Sequence, residues 1–493
     1  MKVSFTVSQL NKFREEGYGS APLVCEMLSD AATPIECLKA IGKAGGKRGK
    51  SFLFESIEGG EKWARYSFLG FSPVAEIFLS DKVMTISEEG KTRTISTCDP
   101  NAEIRGILKN YKSPKTAGLP PFTGGFVGYF SYEYFKYYEK ADFLPAGEFG
   151  DCRLFLFDKV IAYDNLKQKI YIIVNVKLSE RLDAEYAAAI EEIEEIRHVI
   201  YSGCKDKCDG AEMIKGFSAI ASREEYEKKV EKAKNYVYEG DIFQCVPSNL
   251  WTAEINGGLL NTYRVLRTTN PSPYMIYMNM GDAEIAGASP ETLVKVTDGK
   301  VTTFPIAGTR PRGANEEQDK LLEEQLLADE KEIAEHNMLV DLGRNDLGKV
   351  CKFGTVKVKE YKKVYRFSHV MHITSSVSGE LREDKDALDA LSATLPAGTL
   401  SGAPKLRAMQ IISELEEGRP RGIYGGAVGY ADFTGNGDFC IAIRTAARKG
   451  NKVYVRAGGG IVEGSVPERE FEETVNKSAA VREAVEKSGG IDL

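Results

Sequence analysis

The sequence lacks long hydrophobic runs and a leader-like N-terminus. No apolar stretch approaches the roughly 18 residues that a membrane-spanning helix needs, and the opening residues, MKVSFTVSQLNKF, contain no signal-peptide hydrophobic region. We therefore expect a cytoplasmic protein without a membrane association. With 493 residues, the chain is too long for one ordinary core, so we expect two domains or one large composite.

An excess of one charge is also missing. The chain carries 72 acidic and 65 basic residues, a net charge of −7, and no long run of a single sign. A surface that binds nucleic acid or anionic lipid usually concentrates positive charge. The balance argues against both partners and leaves small molecules and other proteins as expected ligands.

Clustered cysteine and histidine are scarce. The chain has nine cysteines and four histidines. Only Cys204 and Cys208 have a spacing that approaches a metal-binding pair, and no second cysteine pair lies near them. We expect reduced thiols and no zinc site.

Strand-like and helix-like segments are present on both sides of a polar connector near residue 205. Short strand patterns precede it, such as KSFLFES, VAEIFLS and KIYIIVNVKL, and helices alternating with strands follow it. After the connector, Ser222 and Glu225 form a capping-box pattern that predicts a new helix. The segments GGFVGYF (124–130) and GGAVGYA (425–431) suggest equivalent strands in two stacked sheets. The pattern predicts an α+β fold with extensive antiparallel sheet.

The stretch DLGRNDLGKV (341–350) has the glycine and lysine spacing of a phosphate-binding loop. Such a loop follows a strand and ends in Ser or Thr, but Val350 stands at the hydroxyl position and a helical pattern precedes the glycines. We interpret Gly343 as the left-handed cap of a helix C-terminus, not as part of a nucleotide site.

Two predicted helices each carry a pair of glutamates on one face. Glu332 and Glu335 share a face with the apolar residues Leu321, Ala328 and Leu339. A second helix, with Ser465 as predicted N-cap, Pro467 in its first turn and Gly489 at its end, places Glu470 and Glu473 on the face of Lys477, Ala480 and Ala484. Four converging carboxylates would require a cation such as Mg²⁺. The alternative is two unrelated, solvated faces.

Two glycine-rich segments and one arginine suggest an anion site. PAGTLSGAPKLRAM (396–409) and VRAGGGIVEGSV (455–466) offer backbone N–H groups that can hold a carboxylate, although ordinary turns have the same composition. Arg444 falls in an apolar, strand-like run and requires an anionic partner, either a ligand or a structural carboxylate.

Six segments of the C-terminal half resemble the signature blocks of chorismate-utilising enzymes, in that family's order and spacing. They are PIAGTRPRG (305–313), EHNMLVDLGRNDLG (335–348), SHVMHITSSVSGEL (368–381), PAGTLSGAPKLRAMQII (396–412), YGGAVGYADFTGNGDFCIAIRT (424–445) and AGGGIVEGSVPEREFEETVNK (457–477). The resemblance implies two stacked, largely antiparallel β-sheets flanked by helices, an α/β/β/α sandwich. It also implies an N-terminal regulatory domain (1–205) and a chorismate-binding catalytic domain (206–493).

The resemblance further implies roles for individual residues. Glu335 and Glu473 would bind Mg²⁺ with support from Glu332 and Glu470, and Glu291 would be the general acid that protonates the departing C4 hydroxyl of chorismate. Other residues would line the substrate pocket: Tyr424 and Arg444 at the enolpyruvyl carboxylate, the backbone of Gly458, Gly459 and Gly460, and the side chains of His372, Thr309 and Lys477.

Two positions indicate which reaction to expect. Ala307 stands where members that form aminodeoxychorismate carry a nucleophilic lysine, and Gln244 stands where water-adding members carry a lysine base. A neutral amide cannot deprotonate water but can help to place ammonia. We therefore expect amination at C2 and loss of pyruvate to give anthranilate, the first step of tryptophan biosynthesis. The alternatives are an aminodeoxychorismate synthase, an isochorismate or salicylate synthase, or a non-catalytic metabolite-binding paralogue.

Two further ligands follow from the resemblance. The chain contains no G-x-C-x-G or G-x-S-x-G nucleophile motif, so a separate glutamine amidotransferase subunit is expected to deliver ammonia. The N-terminal segment FLFESIEGGEKWARYSFLGFSP (52–73) also resembles members of the family. L-Tryptophan is expected to inhibit from its own site, between residues 53–56 and NPSPYM (270–275), with the Glu55 carboxylate at its ammonium group. The expected residues are Glu55, Ser56, Pro273, Tyr274, Met275, Val428 and Tyr430.

Overall fold

The structure, a computed structural model, describes residues 2–44, 49–57, 65–203, 210–366 and 370–490. Cys204, Cys208 and much of the predicted connector lie outside these ranges. Within them, no helix is both long enough and apolar enough to cross a membrane, and every cysteine is a free thiol.

An eleven-stranded antiparallel sheet, the first sheet, contains strands from both ends of the chain. Its order is β1-β10-β9-β3-β2-β14-β15-β26-β27-β13-β11. The strands span Ser20–Leu28 (β1), Ser51–Glu55 (β2), Tyr66–Phe71 (β3), Lys159–Asp164 (β9), Lys169–Lys177 (β10), Glu212–Ala219 (β11), Ser248–Asn256 (β13), Tyr274–Asn279 (β14), Ala283–Ser289 (β15), Thr445–Lys449 (β26) and Lys452–Gly458 (β27).

A second eleven-stranded antiparallel sheet has the order β19-β22-β17-β16-β25-β24-β7-β8-β4-β5-β6. Its strands span Ala75–Ser80 (β4), Val83–Glu88 (β5), Lys91–Ser96 (β6), Gly125–Phe130 (β7), Cys152–Phe157 (β8), Thr292–Thr297 (β16), Lys300–Thr303 (β17), Lys357–Val358 (β19), Val377–Glu380 (β22), Ala427–Asp432 (β24) and Gly437–Ile441 (β25). Two small sheets complete the set: Ile306–Pro311 (β18), Val370–Thr374 (β21) and Lys363–Arg366 (β20), and Gln244–Cys245 (β12) with Gly402–Ala403 (β23).

Helices cover the outer faces of both sheets. They span Val7–Glu15 (α1), Pro34–Ala44 (α2), Pro100–Asn110 (α3), Leu182–Ser202 (α4), Arg223–Tyr238 (α5), Leu260–Thr269 (α6), Glu316–Ala328 (α7), Glu330–Gly348 (α8), Ala387–Thr394 (α9), Lys405–Leu415 (α10) and Pro467–Lys487 (α11). Short 3-10 segments lie at Tyr132–Tyr137, Gly398–Leu400 and Ser488–Gly490.

Three apolar layers hold the fold together. Ile172 of the first sheet packs with Ile193 of α4, Phe52 and Phe157 pack between the two sheets, and Leu391 of α9 packs against the second sheet. These layers arise because alternate residues of each strand face opposite sides. The order helix, sheet, sheet, helix confirms the predicted α/β/β/α sandwich.

The strands do not separate at residue 205. In the first sheet β2 pairs with β14, with Phe54 opposite Ile276, and in the second sheet β7 pairs with β24. Both sheets therefore combine strands from the two predicted domains. The boundary at residue 205 stays a prediction about the functions of the two halves. Structurally, the two halves share their hydrophobic layers.

The two GG-containing segments lie side by side in one sheet, so their assignment to two different sheets was wrong. Gly128 of β7 stands opposite Gly429 of β24. A Cβ on Gly128 would clash with the carbonyl oxygen of Arg153, and one on Gly429 with that of Asp438. The repeated glycines permit this close backbone approach.

The helix pattern before Gly348 is interrupted at Asp329. Its backbone is extended, and its carboxylate accepts hydrogen bonds from the backbone N–H groups of Lys331 (3.1 Å) and Glu332 (3.2 Å). The predicted shared face was therefore wrong for Leu321, which lies on α7 and is 54% exposed, and for Ala328, which ends α7. Gly343 lies inside α8 and does not cap it.

Other helix boundaries follow the sequence. Ser222 and Glu225 form the predicted capping box, and Pro467 begins α11. The N-cap of α11 is Val466 and not Ser465, whose hydroxyl instead accepts from the backbone N–H of Val462.

Candidate active site

Three consecutive glycines at the end of β27 and just beyond it each lie against a different predicted site residue. A Cβ on Gly458 would lie 3.1 Å from the Tyr424 hydroxyl, and the Gly458 carbonyl oxygen accepts from Lys477 Nζ at 3.2 Å. A Cβ on Gly459 would lie 3.1 Å from Glu470 Oε2, and one on Gly460 would clash with the Gln244 amide. Glycine is required because side chains from three elements close on this segment.

Glu291 lies between β15 and β16, and its backbone is held by the N–H of Ile441, 2.9 Å from the Glu291 carbonyl oxygen. The Thr399 hydroxyl donates to Oε1 at 3.1 Å. Burial raises the pKa of Glu291 to about 7, while Thr399, Lys477 and Arg444 act in the opposite direction. A carboxyl with this pKa can hold and release a proton near neutrality.

His372 of β21 lies opposite Thr309 of β18. Its Nδ1 is 3.0 Å from the Thr309 hydroxyl and 3.0 Å from the carbonyl oxygen of Gly308. Burial lowers the pKa of His372, which favours the neutral ring. The carbonyl then selects the tautomer with the proton on Nδ1.

Arg444 lies at a bend between β25 and β26, not inside a strand as predicted. Its φ of 51° is in the left-handed region, and its carbonyl oxygen accepts from the Ala288 N–H at 3.1 Å. The guanidinium is close enough to lower the pKa of both Glu291 and His372. The bend thus brings a permanent positive charge into the same site as these two groups.

The glutamate pairs of α8 and α11 interact with each other. Burial raises the pKa of Glu335, and the negative charges of Glu332 and Glu473 add to that rise. Burial likewise raises the pKa of Glu470, with a contribution from Glu473. Lys477 Nζ lies 2.6 Å from Glu473 Oε1 and partly balances these charges. The two acidic faces therefore converge on one region.

The donor set suits a hard cation. Among the described residues, no three His, Cys, Asp or Glu side chains are gathered as a metal-binding group. Mg²⁺ commonly takes only one or two protein carboxylates and completes its shell with water and substrate oxygens. Repelling carboxylates on facing helices provide that chemistry.

Gln244 forms the wall opposite the glycine segment. It is 2% exposed, and within the described part of the chain its Oε1 has no hydrogen-bond partner. Its backbone pairs with Ala403 across β12 and β23. Ala307 is a buried residue of β18, so this position offers no nucleophile.

The predicted inhibitor residues lie where the two halves of the chain pair. Met275 of β14 stands opposite Glu55 of β2, and the Ile57 N–H donates to the Ser272 carbonyl oxygen at 3.3 Å. The Ser56 hydroxyl is buried and lacks a hydrogen-bond partner among the described residues. These contacts bring the segments at 55–57 and 272–275 together, with Pro273 between Ser272 and Tyr274.

The remaining inhibitor residues divide between the two faces of the first sheet. The Glu55 carboxylate points to α6, where it accepts from the Tyr263 hydroxyl and from Arg267 Nη2 at 3.3 Å. Its Oε2 also lies 2.9 Å from Arg267 Nε in an ion pair. Val428 and Tyr430 belong to the layer between the sheets. Glu55 is thus already neutralised by an arginine and does not share a face with Tyr430.

The sequence interpretation missed several residues around the site. Thr399, which contacts Glu291, lies within a segment that was interpreted through its backbone alone. A fully buried ionic cluster was also missed; it comprises Glu133, Glu416, Arg421 and Arg456. The sequence did contain a signal for this cluster, because Glu416 and Arg421 shortly precede Tyr424. Charged residues close to a predicted ligand residue can support it.

The chain belongs to the family of chorismate binding enzymes, whose pattern matches residues 50–483. Among similar proteins, anthranilate synthase component 1 from Acetivibrio thermocellus is 46% identical over 491 residues, covering 97% of this chain and 98% of the relative. The same enzyme component from Pseudomonas aeruginosa is 46% identical over 479 residues, covering 95% and 96%.

Solved structures agree with this membership. The crystal structure of anthranilate synthase component I from Streptococcus pneumoniae superposes with a TM-score of 0.75 at 37% identity, covering 92% of this chain and 99% of that one. The menaquinone-specific isochorismate synthase from Escherichia coli has a TM-score of 0.70 at 20% identity, with 97% and 98% coverage, and shares the fold. The predicted family is confirmed.

Proposed function

We propose that the protein is the chorismate-binding subunit of an anthranilate synthase. It converts chorismate and ammonia to anthranilate, pyruvate and water. Glu291 donates a proton to the C4 hydroxyl, which leaves as water while ammonia bonds to C2. Loss of the C2 proton and cleavage of the enolpyruvyl ether then release pyruvate and leave the aromatic amine.

Gln244 is the observation that carries this choice of reaction. Its buried amide oxygen lacks a hydrogen-bond partner among the described residues, and buried acceptors are normally paired. Ammonia supplies the N–H donor that such an acceptor needs. A neutral amide at this position provides no base for water, and Ala307 provides no covalent nucleophile.

The substrate carboxylates account for the other charged groups. Arg444 and Tyr424 bind the enolpyruvyl carboxylate together with the backbone N–H groups of the 458–460 segment. Lys477 balances the acidic helices, and neutral His372 with Thr309 lines the ring. Lys477 and Arg444 both act on Glu291, so a substrate bound to these two groups also excludes water from the proton donor.

We propose Mg²⁺ as the cofactor. Glu335 and Glu473 would hold it, with Glu332 and Glu470 in support. When bound, the cation would act as a Lewis acid and would offset the repulsion between the glutamate carboxylates of the helices and the ring carboxylate of chorismate. The supporting observation is that the negative charges of Glu332 and Glu473 add to the rise that burial causes in the pKa of Glu335, and that Glu473 adds to the corresponding rise in the pKa of Glu470.

Ammonia is proposed to come from a separate glutamine amidotransferase subunit, because the sequence contains no nucleophile motif for glutamine hydrolysis. L-Tryptophan is proposed as a feedback inhibitor at the junction of β2 and β14. In view of the Arg267 ion pair, Glu55 contributes shape and backbone there, and its carboxylate is not the receptor for the inhibitor ammonium.

One assay tests the proposal. Purified chain with chorismate, Mg²⁺ and ammonium should produce anthranilate, measured by its fluorescence, while glutamine should replace ammonium only after the amidotransferase subunit is added. The Glu291→Gln variant is the control and should lose about a hundredfold or more in rate, since it cannot donate the proton. Accumulation of aminodeoxychorismate or isochorismate would contradict the assigned reaction.

A further inference from the structure

A buried ionic cluster lies directly behind the segments that carry Gln244, Thr399 and Tyr424. Glu416 accepts from Arg421 Nε at 3.2 Å and from Arg456 Nη1 at 2.8 Å. It also accepts from the backbone N–H and the hydroxyl of Ser248, at 2.8 and 2.9 Å, and from Arg421 Nη2. Glu133, whose pKa burial raises to about 7, lies beside these three charged side chains. The four side chains are between 1% and 9% exposed.

Such a cluster is a poor source of stability. Removing two charges from water costs as much as their attraction returns, and apolar residues of similar volume are often equally stable. Every member of this cluster is nevertheless hydrogen-bonded. The cluster therefore serves to fix the relative positions of the segments that it joins.

Arg421 connects three segments that carry site residues. Its Nη1 donates to the carbonyl oxygen of Leu400 at 2.8 Å, next to Thr399, and its Nη2 donates to that of Val246 at 2.6 Å, two residues after Gln244. Its guanidinium also lies over the Tyr424 ring, 5.8 Å from the centroid. The planar guanidinium of Arg421 thus sets the relative positions of these three segments.

Glu133 belongs to the N-terminal half and fixes the turn that precedes Tyr424. It accepts from the backbone N–H of Arg421 on Oε1 at 2.6 Å and from that of Gly422 on Oε2 at 3.0 Å. Glu133 lies in the 3-10 segment that follows β7. Gly422 has a φ of 64°, which suits glycine at this turn.

We propose that Glu133 and Arg421 are positioning residues for chorismate. Glu133 fixes the 421–424 segment and so places the Tyr424 hydroxyl against Gly458, where substrate binds. Arg421 additionally places Thr399, and through it the Glu291 proton donor. The inference rests on the function proposed above for its kinetic readout, but chorismate binding alone also tests it.

Glu133→Gln is the decisive variant because the amide keeps the size of the side chain and can accept at only one oxygen. It should raise the Kd for chorismate, measured by calorimetry, and the KM by about tenfold, with kcat within about threefold of wild type. Arg421→Lys keeps the charge beside Glu416 but cannot reach all three segments. It should raise KM and also lower kcat.

Asp164→Asn is the matched control. Asp164 is a buried carboxylate that pairs with Arg65 and accepts from the backbone N–H groups of Leu166 and Lys167, at 3.2 and 3.0 Å, away from the site. Its variant should retain wild-type Kd and KM. Thermal melting establishes that each variant is folded, and Arg421→Lys replaces Glu133→Gln if the latter has no cooperative transition.

The outcomes separate this inference from the proposed function. Wild-type chorismate affinity and KM in Glu133→Gln, or an equal loss in Asp164→Asn, would overturn the positioning role. If wild type binds chorismate but forms no anthranilate, and Glu133→Gln still weakens binding, the positioning role stands and the proposed reaction is wrong.

Discussion

At the scale of single residues, Glu291 shows how surroundings prepare a carboxyl for proton donation. Its pKa of about 7 results from burial, opposed by the hydrogen bond from Thr399 and the positive charges of Lys477 and Arg444. Substantial protonation near neutrality suits a group that must give up a proton. The family resemblance assigns the proton donor to Glu291, and burial favours the protonated form that this proposed role requires.

The Thr399 hydrogen bond predicts a shift in pH dependence. The Thr399 hydroxyl stabilises the ionised carboxylate, so Thr399→Val should raise the pKa of Glu291 further. Activity requires the protonated form and falls as pH rises through this pKa. The alkaline limb of kcat/KM should therefore move to higher pH in the variant, as measured from initial rates of anthranilate formation.

Thr394→Val is the control for that shift, since the Thr394 hydroxyl donates to the Ala390 carbonyl oxygen within α9. Its alkaline limb should coincide with that of wild type. An unmoved limb in Thr399→Val, or a shift to lower pH, would remove Glu291 as the titrating acid.

The facing acidic helices predict a metal requirement. Glu335→Gln and Glu473→Gln each remove one charge with little change of shape. Each should lower the rate by about a hundredfold or more and raise the Mg²⁺ concentration for half-maximal activity. Glu483→Gln should behave as wild type, because Glu483 is an exposed residue of α11 paired with Lys487 at 2.9 Å. Equal rates in all three variants would indicate that the glutamate faces of α8 and α11 are merely solvated and bind no metal.

At the scale of elements, local patterns predicted what local interactions determine. The capping box at Ser222 and the proline at the start of α11 were correct because their hydrogen bonds and φ preferences lie within a few residues. The strands, too, follow from short alternating runs. The residues that the motifs assign to catalysis, substrate and metal form a connected set of contacts in the structure, while their roles stay predictions.

Long-range contacts decided what the sequence could not. Asp329 interrupts a strongly helical composition because its carboxylate both caps α8 and pairs with Arg310 Nη2 at 2.7 Å. The bend at Arg444 and the pairing of β7 with β24 likewise depend on neighbours distant in sequence. Helix propensity along the sequence does not include contacts with residues that are distant in the chain.

The cap at Asp329 predicts a linked loss of stability and metal affinity. Asp329→Ala should lower the free energy of unfolding by about 1–2 kcal/mol. Because α8 begins there and carries Glu332 and Glu335, the Mg²⁺ concentration for half-maximal activity should rise as well. Urea unfolding and metal titration of the rate measure the two effects.

Asp386→Ala provides the comparison. Asp386 caps α9 by accepting from Leu388 and Asp389 N–H groups and pairs with Arg105, but α9 carries no proposed ligand. Its variant should lose similar stability and keep the wild-type metal response. A matching metal effect in both variants would make the Asp329 result a general consequence of destabilisation.

At the scale of the whole molecule, the two halves are joined by continuous backbone ladders. The β2–β14 pairing carries the proposed inhibitor segments, and the β7–β24 pairing carries Val428 and Tyr430. Tyr424 precedes β24 by three residues in the sequence. A ligand at the β2–β14 junction therefore contacts both halves of the chain.

This arrangement predicts feedback inhibition that a single substitution can remove. Tryptophan inhibits only if it binds one arrangement of these strands more tightly than another. Ser56→Phe should fill the space beside the buried Ser56 hydroxyl and raise the tryptophan concentration for half-inhibition by at least about tenfold, with the uninhibited rate preserved. Ser56→Ala, which leaves the space open, should remain inhibited. Rates with ammonium as nitrogen donor over a tryptophan titration measure both variants. A wild-type enzyme insensitive to millimolar tryptophan, or a Ser56→Phe variant inhibited as strongly as wild type, would disprove the regulatory site and leave the catalytic assignment intact.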